Sequence, residues 1–512
     1  MRKIHPGQTF NMAAYAISRA ALVTPDKPAL VVVADAAPGV TCEIWTYARL
    51  ERALLAVAAG LRENGFERGS RIVIRLDNTS LYPIVFFGAI AAGYVPVATS
   101  AALHPAEAAF LIRDSGASAV ISAPNLPLDD LPGGIVTLSA ASVAGWIKLA
   151  PSSTYAFTKA DDPAFLIYTS GTSAEPKGVL HAQRSILGRR PMIEGWYGLT
   201  ADDRVLHAGA FNWTYTLGTG LCDPWANGAT AIIYTGPKDP GLWPALIAKT
   251  EATIFAAVPT VFRQILKYGA PTRDNLGALR HGLIAGETPP ADLFDAWREA
   301  TGRELYEALG QSEISTYVST SPGVPRVPGA IGKPQAGRRI AILPVDGGDQ
   351  PLAPGEEGLL AVHRSDQGLM LGYWNRPAED ASVTRGEWFI GGDLAVMDEV
   401  GYVWHRGRAD DVMKVLGYRV SPQEVEAALA QHPDVADVAC TAVKVRAGVT
   451  VIGAFIVARE GAKPDATEIL AFAAARLADY KRPRQIVFVS SLPRTANGKI
   501  KRSALAAKGG AP

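Results

Sequence analysis

The chain has 512 residues, 48% of them hydrophobic, which is enough to bury a large core and to form two or three domains of about 150 residues each. Fifty basic and 49 acidic residues leave a formal net charge of +1, so no charge excess attracts a polyanion and no nucleic-acid partner is predicted. The three cysteines, Cys42, Cys222 and Cys440, match no zinc or redox spacing, which favours a reducing, cytoplasmic setting.

The N-terminal part of the chain has no pattern typical of a targeting segment. Residues 1–17 include basic side chains but no long apolar region next to a small-residue cleavage site. Residues 82–103 are uncharged over the roughly 20 residues that a membrane helix requires. Pro83, Gly88, Gly93 and Pro96 interrupt them, however. We therefore predict a buried short helix, a turn and a strand there, and no membrane span.

Short β-rich apolar runs alternate with helical stretches through roughly residue 400. The clearest runs are "RIVIRL", "SAVISA", "TAIIY", "ATIFAAV" and "HGLIAG", and the clearest helical stretch is "YARLERALLAVAAGLRENG". This alternation predicts an α/β fold class, with a large N-terminal α/β domain whose parallel or mixed sheet is covered by helices.

The stretch "YTSGTSAEPKG", residues 168–178, follows a buried apolar run and is rich in hydroxyl groups and glycine. Backbone N–H groups and hydroxyls in such a turn suit phosphate oxygens. It is not a P-loop, because Lys177 is followed by Gly178 instead of Ser or Thr and the glycine spacing is too long. A kinase or GTPase is therefore not predicted, and taken alone the stretch is also compatible with a polar surface turn.

Beyond Gly407 the pattern changes to a small α+β domain. Ser421, Pro422 and Glu424 predict a capping box at the start of the helix "PQEVEAALAQ". Two strands, a helix near "ATEILAFAAARLADY" and the strand "QIVFVSS" follow. The charged, glycine-containing stretch "GRADDVMKVLGYR" suits an exposed linker, so we predict a large domain over residues 1–409 and a small, mobile one over residues 410–512.

Four stretches together resemble the motifs of the adenylate-forming (ANL) superfamily, which contains acyl-CoA synthetases, peptide-synthetase adenylation domains and luciferases. "YTSGTSAEPKG" resembles its phosphate loop, and "YEALGQSE" (306–313) its magnesium and adenine motif. "WFIGGDLAVMDEVGYVWHRGRADD" (388–411) resembles its ribose and hinge motif, and "PRTANGKIKR" (493–502) its catalytic-lysine motif. Four motifs in order across nearly the whole chain make a chance match implausible.

The resemblance implies a binding role for three sets of residues. Those implied to bind the phosphates of ATP are Thr169, Ser170, Gly171, Thr172, Ser173, Lys177 and Ser312. Those implied to bind adenine and ribose are Gly286, Glu287, Thr288, Glu307, Ala308, Leu309, Asp393 and Arg408. Those implied to line the acyl pocket are Phe211, Trp213, Tyr215, Gly218, Val258 and Gly310.

Glu313 and Lys499 are the implied catalytic residues. Glu313 is a single carboxylate in a polar segment, and Mg²⁺ is usually held by one or two carboxylates plus substrate phosphates. Lys499 follows Asn497 and Gly498, a pair that forms tight turns. Its charge would offset the repulsion between an attacking carboxylate and the α-phosphate. Without the other motifs, Glu313 would equally be a helix-capping residue and Lys499 one more basic residue in its cluster.

The resemblance also implies that the small domain moves between two half-reactions. Asp410 matches the hinge residue, and Gly417 matches the glycine of the channel through which coenzyme A reaches the site. Lys499 is a candidate for a lysine acetyltransferase, since acetylation would remove its charge.

The implied acyl pocket is mostly apolar or aromatic, with no charged group to meet an amino group or a second carboxylate, which disfavours amino acids and dicarboxylates. Gly310 stands where acetate-specific relatives carry a tryptophan, so we expect room for a larger acid. Two residues depart from the family pattern, Ala174 in place of a glycine and Ser312 in place of a threonine, and neither change removes a catalytic group.

We therefore predict an ATP- and Mg²⁺-dependent acid–CoA ligase, which forms an acyl-AMP and pyrophosphate and then transfers the acyl group to the thiol of coenzyme A. The alternative is a stand-alone adenylating enzyme that loads a carrier protein or forms an amide. Gly417, and the lack of a carrier domain after Lys501, favour coenzyme A. A non-catalytic nucleotide-binding protein is disfavoured because Lys499 and Glu313 are both present. The acid is left open among medium-chain, branched, alicyclic and aromatic acids, and so is a homo-oligomer.

Overall fold

The computed structural model describes residues 4–37, 39–128, 131–151, 153–169, 176–290, 292–409, 413–415, 418–446, 449–477, 479–494 and 500–509. The α-helices are α1 Met12–Val23, α2 Tyr47–Glu63, α3 Leu81–Ala92, α4 Pro105–Asp114, α5 Ala140–Trp146, α6 Thr214–Leu217, α7 Asp223–Ala226, α8 Trp243–Lys249, α9 Pro259–Gln264, α10 Leu293–Thr301, α11 Pro377–Ser382, α12 Pro422–Leu429, α13 Ala466–Ala474 and α14 Arg502–Gly509. Short 3-10 or π turns cover Gln183–Arg189, Ile193–Tyr197, Gly218–Cys222, Pro240–Leu242, Ile265–Gly269 and Asp479–Lys481.

The strands are β1 Pro28–Val33, β2 Glu43–Thr46, β3 Arg71–Arg75, β4 Val95–Ala98, β5 Ala119–Ser122, β6 Val136–Ser139, β7 Pro163–Thr169, β8 Lys177–Ala182, β9 Arg204–His207, β10 Thr230–Tyr234, β11 Ile254–Ala257, β12 His281–Ala285, β13 Glu304–Gln311, β14 Ser315–Ser319, β15 Lys333–Pro334, β16 Ile340–Leu343, β17 Glu357–His363, β18 Gly372–Tyr373, β19 Thr384–Arg385, β20 Trp388–Met397, β21 Val403–Arg408, β22 Met413–Val415, β23 Tyr418–Val420, β24 Val435–Arg446, β25 Val449–Ala458 and β26 Gln485–Phe488.

The chain forms two compact units. The first contains Met1–Arg339 and Val362–Glu387, and the second contains Ile340–Ala361 and Trp388–Pro512. The predicted boundary between residues 409 and 410 falls inside the second unit, because β16, β20 and β21 group with the C-terminal residues. The hinge near Asp410 stays a prediction. Asp410 and Gly417 both lie outside the described residues.

The first unit contains two mixed sheets, as the alternation of strands and helices predicted. A nine-stranded sheet has the order β15-β14-β13-β12-β11-β9-β10-β1-β2, and a seven-stranded sheet has the order β18-β8-β7-β4-β3-β5-β6. In the nine-stranded sheet the central pairs, such as β11 with β12 and β12 with β13, are parallel, and the pairs at both edges are antiparallel. In the seven-stranded sheet the edge pair of β5 with β6 is parallel, and that of β18 with β8 is antiparallel. Strands such as β11 and β12 are buried along their whole length, which explains their continuous apolar sequence.

The uncharged stretch at residues 82–103 is a core element, as predicted. All of α3 after its first residue is buried, and the helix ends at Gly93, whose φ of 86° suits a glycine C-cap. Gly88 allows close packing against α2, because a Cβ at this position would lie 2.7 Å from Val57 Cγ1. Among the described residues, no helix combines the length and apolar character that crossing a membrane requires.

The second unit contains the predicted α+β elements. Strands β24, β25 and β26 form one sheet, and Val425 and Leu429 of α12 belong to the core beneath it. The predicted capping box is wrong, because the Ser421 hydroxyl makes no bond to the helix and instead donates to the Arg406 carbonyl at 2.7 Å. Glu424 forms an ion pair with Lys481.

A buried ion pair lies in the core of the first unit. Arg189 donates from Nε and Nη2 to the two carboxylate oxygens of Asp223, at 2.8 and 2.7 Å, and the Tyr197 hydroxyl donates to the same carboxylate at 2.6 Å. Burial would lower the pKa of Arg189, but the Asp223 carboxylate more than offsets it and the pKa is raised. The guanidinium packs against Gly218, where a Cβ would lie 2.1 Å from Nη2.

We expect Asp223→Ala to lower the free energy of unfolding by about 3–5 kcal/mol, because it leaves the Arg189 charge buried without its partner. Asp295→Ala is the matched control, since it removes surface ion pairs with Arg298 and Arg326 and is expected to cost about 0–1 kcal/mol. Urea denaturation followed by circular dichroism measures both. Equal effects of the two substitutions would contradict the role given to this pair.

Candidate active site

The predicted phosphate loop connects two antiparallel strands. Strand β7 ends at Thr169 and β8 begins at Lys177, and these two residues face each other in the register of the pair. The loop therefore closes a hairpin with Thr169 and Lys177 at its base. Ser170, Gly171, Thr172 and Ser173 lie outside the described residues, and their role stays a prediction.

Lys177 is held at the base of this loop by two contacts. Its ammonium group forms an ion pair with Glu379, at the third residue of α11. The same nitrogen lies 5.6 Å from the centre of the Tyr373 ring, within the range of a cation–π contact. The lysine charge is thus fixed beside the loop.

Glu313 lies in the tight turn between β13 and β14. The Tyr373 hydroxyl donates a hydrogen bond to Glu313 Oε1 at 2.7 Å, and the Met370 N–H donates to the Glu313 carbonyl at 2.7 Å. Among the described residues, no hydrogen-bond donor to Glu313 Oε2 is present. The turn therefore presents a carboxylate with one oxygen held in place.

His181 connects the same turn to β8. Its Nε2 lies 2.8 Å from the Ser312 carbonyl, which only accepts hydrogen bonds, so Nε2 carries the proton. Burial lowers the pKa of His181 to about 4, so the ring is neutral at physiological pH. The ring stacks on Phe165 with centroids 4.6 Å apart. Sequence reasoning missed both His181 and Tyr373, although His181 lies only three residues after the end of the phosphate-loop motif at Gly178.

The donor set around Glu313 fits Mg²⁺. The described residues contain no cluster of three or more His, Cys, Asp or Glu side chains that would bind a metal by itself. Magnesium typically binds to one or two carboxylates and completes its shell with water and nucleotide phosphates. A single oriented carboxylate, with Lys177 at the base of the predicted phosphate loop over the same Tyr373 ring, matches that requirement.

The residues predicted to bind adenine lie at the carboxyl ends of neighbouring parallel strands. Gly286 follows β12 with a φ of 92°, and a Cβ there would lie 2.7 Å from the Trp213 ring. Glu287 accepts hydrogen bonds from the N–H and the hydroxyl of Thr260 at 3.2 and 2.6 Å, and Thr288 is exposed. Ala308 pairs with Ala285 at the end of β12. Ligands typically bind at this end of a parallel sheet.

The Glu307 carboxyl group has a raised pKa. It lies on β13 between Tyr306 and Ala308 and precedes Leu309, the last of the predicted adenine residues. Burial of its carboxyl group raises the pKa to about 8, and the charge of Arg326 offsets this only in part. The protonated side chain therefore predominates at neutral pH and can donate a hydrogen bond.

The predicted acyl-pocket residues fall into separate groups. Trp213 and Tyr215 meet edge to face with centroids 5.6 Å apart, and Val258 lies beside Trp213 at Gly286. The Tyr215 hydroxyl donates to the Leu283 carbonyl at 3.1 Å. Phe211, in contrast, packs on Tyr82 of α3 in a different part of the core.

Gly310 packs closely against strand β14. A Cβ at this position would lie 2.6 Å from the Ser315 carbonyl oxygen and 2.8 Å from Thr316 Cα, so the missing side chain makes room for the backbone of β14. The pairing of β13 with β14 shifts register at this point. This packing gives a local reason for glycine at position 310, and its place in the acyl pocket stays a prediction.

Gly218 lines a small cavity of about 30 Å³. The cavity lies between the turn that contains Glu313 and the segment 208–218. Its lining includes His181, Ser185, Arg189 and Ser312. Neither His181 Nδ1 nor the Ser185 hydroxyl has a hydrogen-bond partner among the described residues. Two unpaired polar groups and this volume suit one or two ordered waters.

The predicted ribose-binding pair lies in the second unit. Asp393 on β20 and Arg408 on β21 are paired across the strands, with Arg408 Nη1 3.8 Å from Asp393 Oδ1. His405 Nε2 lies 3.0 Å from the same carboxylate oxygen, and Arg408 also donates to the Gly391 carbonyl at 2.6 Å. Sequence reasoning found the pair but missed His405.

Lys499 lies outside the described residues.

The two-unit α/β fold, in which Tyr373 contacts both Glu313 and Lys177, is that of an adenylate-forming enzyme. The family model described as AMP-binding enzyme matches residues 17–374, and that described as AMP-binding enzyme C-terminal domain matches residues 424–499. The chain therefore belongs to the AMP-binding enzyme family.

Among similar proteins, the benzoate–CoA ligase of Thauera aromatica is 32% identical and the match covers 90% of each chain. The acyl-coenzyme A synthetase ACSM3 of Homo sapiens is 30% identical, over 86% of this chain and 79% of the relative. A solved benzoate CoA ligase from Burkholderia xenovorans LB400 has a TM-score of 0.86 at 30% identity and covers 97% of this chain and 100% of that one. Within its family the chain is an acid–CoA ligase that uses ATP and coenzyme A.

We expect Glu307→Gln to change how stability depends on pH. Because folding raises the pKa of this carboxyl from 4.5 to about 8, unfolding releases a proton between these values and wild-type stability is lost as the pH rises toward 8. The glutamine variant has no such proton, so its unfolding free energy relative to wild type should increase from about pH 5 to pH 8 and then level off. Urea denaturation at several pH values measures this.

Glu304→Gln, on the exposed start of the same strand, is the matched control. A constant difference between wild type and Glu307→Gln across the pH range would contradict the raised pKa of Glu307.

Proposed function

We propose that the chain catalyses the Mg²⁺-dependent ligation of an aromatic or medium-sized acid, uncharged apart from its carboxylate, to coenzyme A. The observation that carries this proposal is the placement of Glu313, which Tyr373 orients, close to the base of the phosphate loop at Lys177. An oriented carboxylate and a fixed cation at one loop suit a nucleotide triphosphate with its metal ion.

Glu313 would hold Mg²⁺ together with oxygens of the ATP phosphates. The ion would supply positive charge that lowers the repulsion between the phosphates and the incoming acid. Thr169, the loop residues 170–173 and Ser312 would hold the β- and γ-phosphates. Lys177 would contribute charge to the loop from its base, where Glu379 and Tyr373 hold it.

In the first step the carboxylate of the acid would attack the α-phosphate, forming the acyl-AMP and breaking the bond to pyrophosphate. Lys499 would contact both anions and stabilise the charge that develops on the phosphate. Glu307, Ala308 and Leu309 would line the adenine together with Gly286, Glu287 and Thr288. Asp393 would accept hydrogen bonds from the ribose hydroxyls, with Arg408 beside it and His405 orienting its carboxylate.

In the second step the thiol of coenzyme A would attack the acyl carbon, with loss of the thiol proton and release of AMP. A rotation at Asp410 would remove Lys499 from the site, and Gly417 would leave room for the thiol-bearing arm. Acetylation of Lys499 by a lysine acetyltransferase would then block the first step alone, because only that step needs its charge.

The aromatic group Trp213 and Tyr215, with Val258, supports an acid with a ring or a short apolar chain. Flat apolar acids pack well against aromatic side chains. The names of the benzoate–CoA ligase relatives favour aromatic acids, and that of the acyl-coenzyme A synthetase favours aliphatic ones. We rank benzoate-like acids first and medium-chain acids second.

We expect Lys499→Ala to lose ATP–pyrophosphate exchange by about 10²- to 10³-fold, since it removes the charge that stabilises the transition state. ATP affinity should change by only a few fold. Lys501→Ala, which removes an exposed lysine two residues away, is the matched control and should exchange normally. Normal exchange by Lys499→Ala would refute the catalytic assignment.

We expect a panel of acids, scored by AMP release with coenzyme A present, to give the highest kcat/KM for benzoate and hydroxybenzoates and a lower one for hexanoate and cyclohexanecarboxylate. Acetate and malonate should be poor, because acetate contacts little apolar surface and malonate brings a second charge. A preference for acetate or malonate would overturn the proposed acid class without affecting the reaction type.

A further inference from the structure

The side chain of Tyr373 connects the two halves of the proposed phosphate site. Its backbone is fixed on strand β18, where Gly372 pairs with Leu180 and Tyr373 with Val179 of β8. The Tyr373 N–H also donates to Asp380 Oδ1 at 2.7 Å. The backbone that carries the ring is therefore fixed by strand pairing and by the bond to Asp380.

The hydroxyl and the ring face of Tyr373 make different contacts. The hydroxyl donates to Glu313 Oε1 at 2.7 Å, and the ring centre lies 5.6 Å from Lys177 Nζ. One side chain thus contacts both the carboxylate and the lysine at the base of the phosphate loop.

A neutral donor suits this position for an electrostatic reason. A lysine or arginine bonded to Glu313 would cancel the negative charge that a bound cation needs, whereas a phenol orients the carboxylate and leaves its charge in place. Lys177 is the nearby cation, and its ion pair is with Glu379. Residues that orient a metal ligand through a hydrogen bond commonly control metal affinity.

We propose that Tyr373 is a positioning residue for the reaction, which holds Glu313 in the orientation that binds the magnesium–nucleotide complex. The inference depends on the proposed function, because it takes Glu313 as the metal ligand. Tyr373 lies outside the four motifs, and the role proposed for it rests on one hydrogen bond, from its hydroxyl to Glu313 Oε1.

The test is Tyr373→Phe, which removes the hydroxyl and keeps the ring under Lys177. We expect the Kd for ATP, measured by calorimetry with saturating Mg²⁺, to rise about 10-fold or more, and the Kd measured in EDTA to stay within twofold. The Mg²⁺ concentration giving half-maximal pyrophosphate exchange should rise by a similar factor. A merely structural role would change both Kd values together or neither.

Tyr94→Phe is the matched control, because it removes a tyrosine hydroxyl bond of similar kind, to the Phe66 carbonyl at 3.1 Å, away from the site. Its Kd values in both buffers should equal those of wild type. The thermal midpoints of both variants, compared with wild type, report whether either substitution disturbs the fold.

A double-mutant cycle with Glu313→Ala distinguishes failure of the role proposed for Tyr373 from failure of the metal site proposed at Glu313. If Tyr373 acts through Glu313, adding Tyr373→Phe to Glu313→Ala should cause no further loss of magnesium-dependent affinity. If Glu313→Ala weakens that affinity and Tyr373→Phe alone does not, the role of Tyr373 is overturned and the proposed function stands. If Glu313→Ala itself binds the magnesium–nucleotide complex like wild type, the proposed metal site fails, and the role of Tyr373 fails with it.

Discussion

The main-chain pairing of β8 with β7 on one side and β18 on the other holds the first-unit part of the site together. Through β7, the pairing brings Thr169 and Lys177, the two ends of the predicted phosphate loop, opposite each other. Through β18, it brings Tyr373 to the carboxylate of Glu313. The far end of β8 carries His181, which bonds to the turn next to Glu313. A single short strand thus sets the relative positions of loop, lysine and carboxylate.

The nine-stranded sheet carries most of the residues predicted to bind adenine and the acid. Its parallel strands β11, β12 and β13 end together, so segments far apart in sequence place Val258, Gly286 and Ala308 near one another. The aromatic side chains of Trp213 and Tyr215 cover this edge, and the buried tyrosine is anchored to the Leu283 carbonyl. The rigid strands hold the backbone, and the loops after them carry the residues proposed to contact ligands.

Local patterns in the sequence predicted the fold well. The strands at "RIVIRL", "TAIIY" and "HGLIAG", the interrupted apolar stretch and the C-terminal α+β elements all form where periodicity and turn residues placed them. The capping box failed because the Ser421 hydroxyl is directed to the Arg406 carbonyl and Glu424 to Lys481, and local sequence reveals neither contact. Motif resemblance pointed to Glu313, Asp393 and Arg408, and their roles stay predictions. It missed Tyr373, His181 and His405, because these bonds join segments whose proximity depends on strand pairing.

The packing at Gly310 has a consequence for redesign of the acid preference. The backbone of β14 occupies the space beside this glycine, and Ser315 has a φ of 84°, which L-residues other than Asn or Asp rarely adopt. A side chain introduced at position 310 alone must displace the strained backbone at Ser315. Ser315 is only two residues from Glu313, so the carboxylate would move as well. Directed evolution that samples one position at a time would discard such changes as inactive. Libraries that vary positions 310, 315 and 316 together can reach combinations in which the turn is rebuilt around a new side chain.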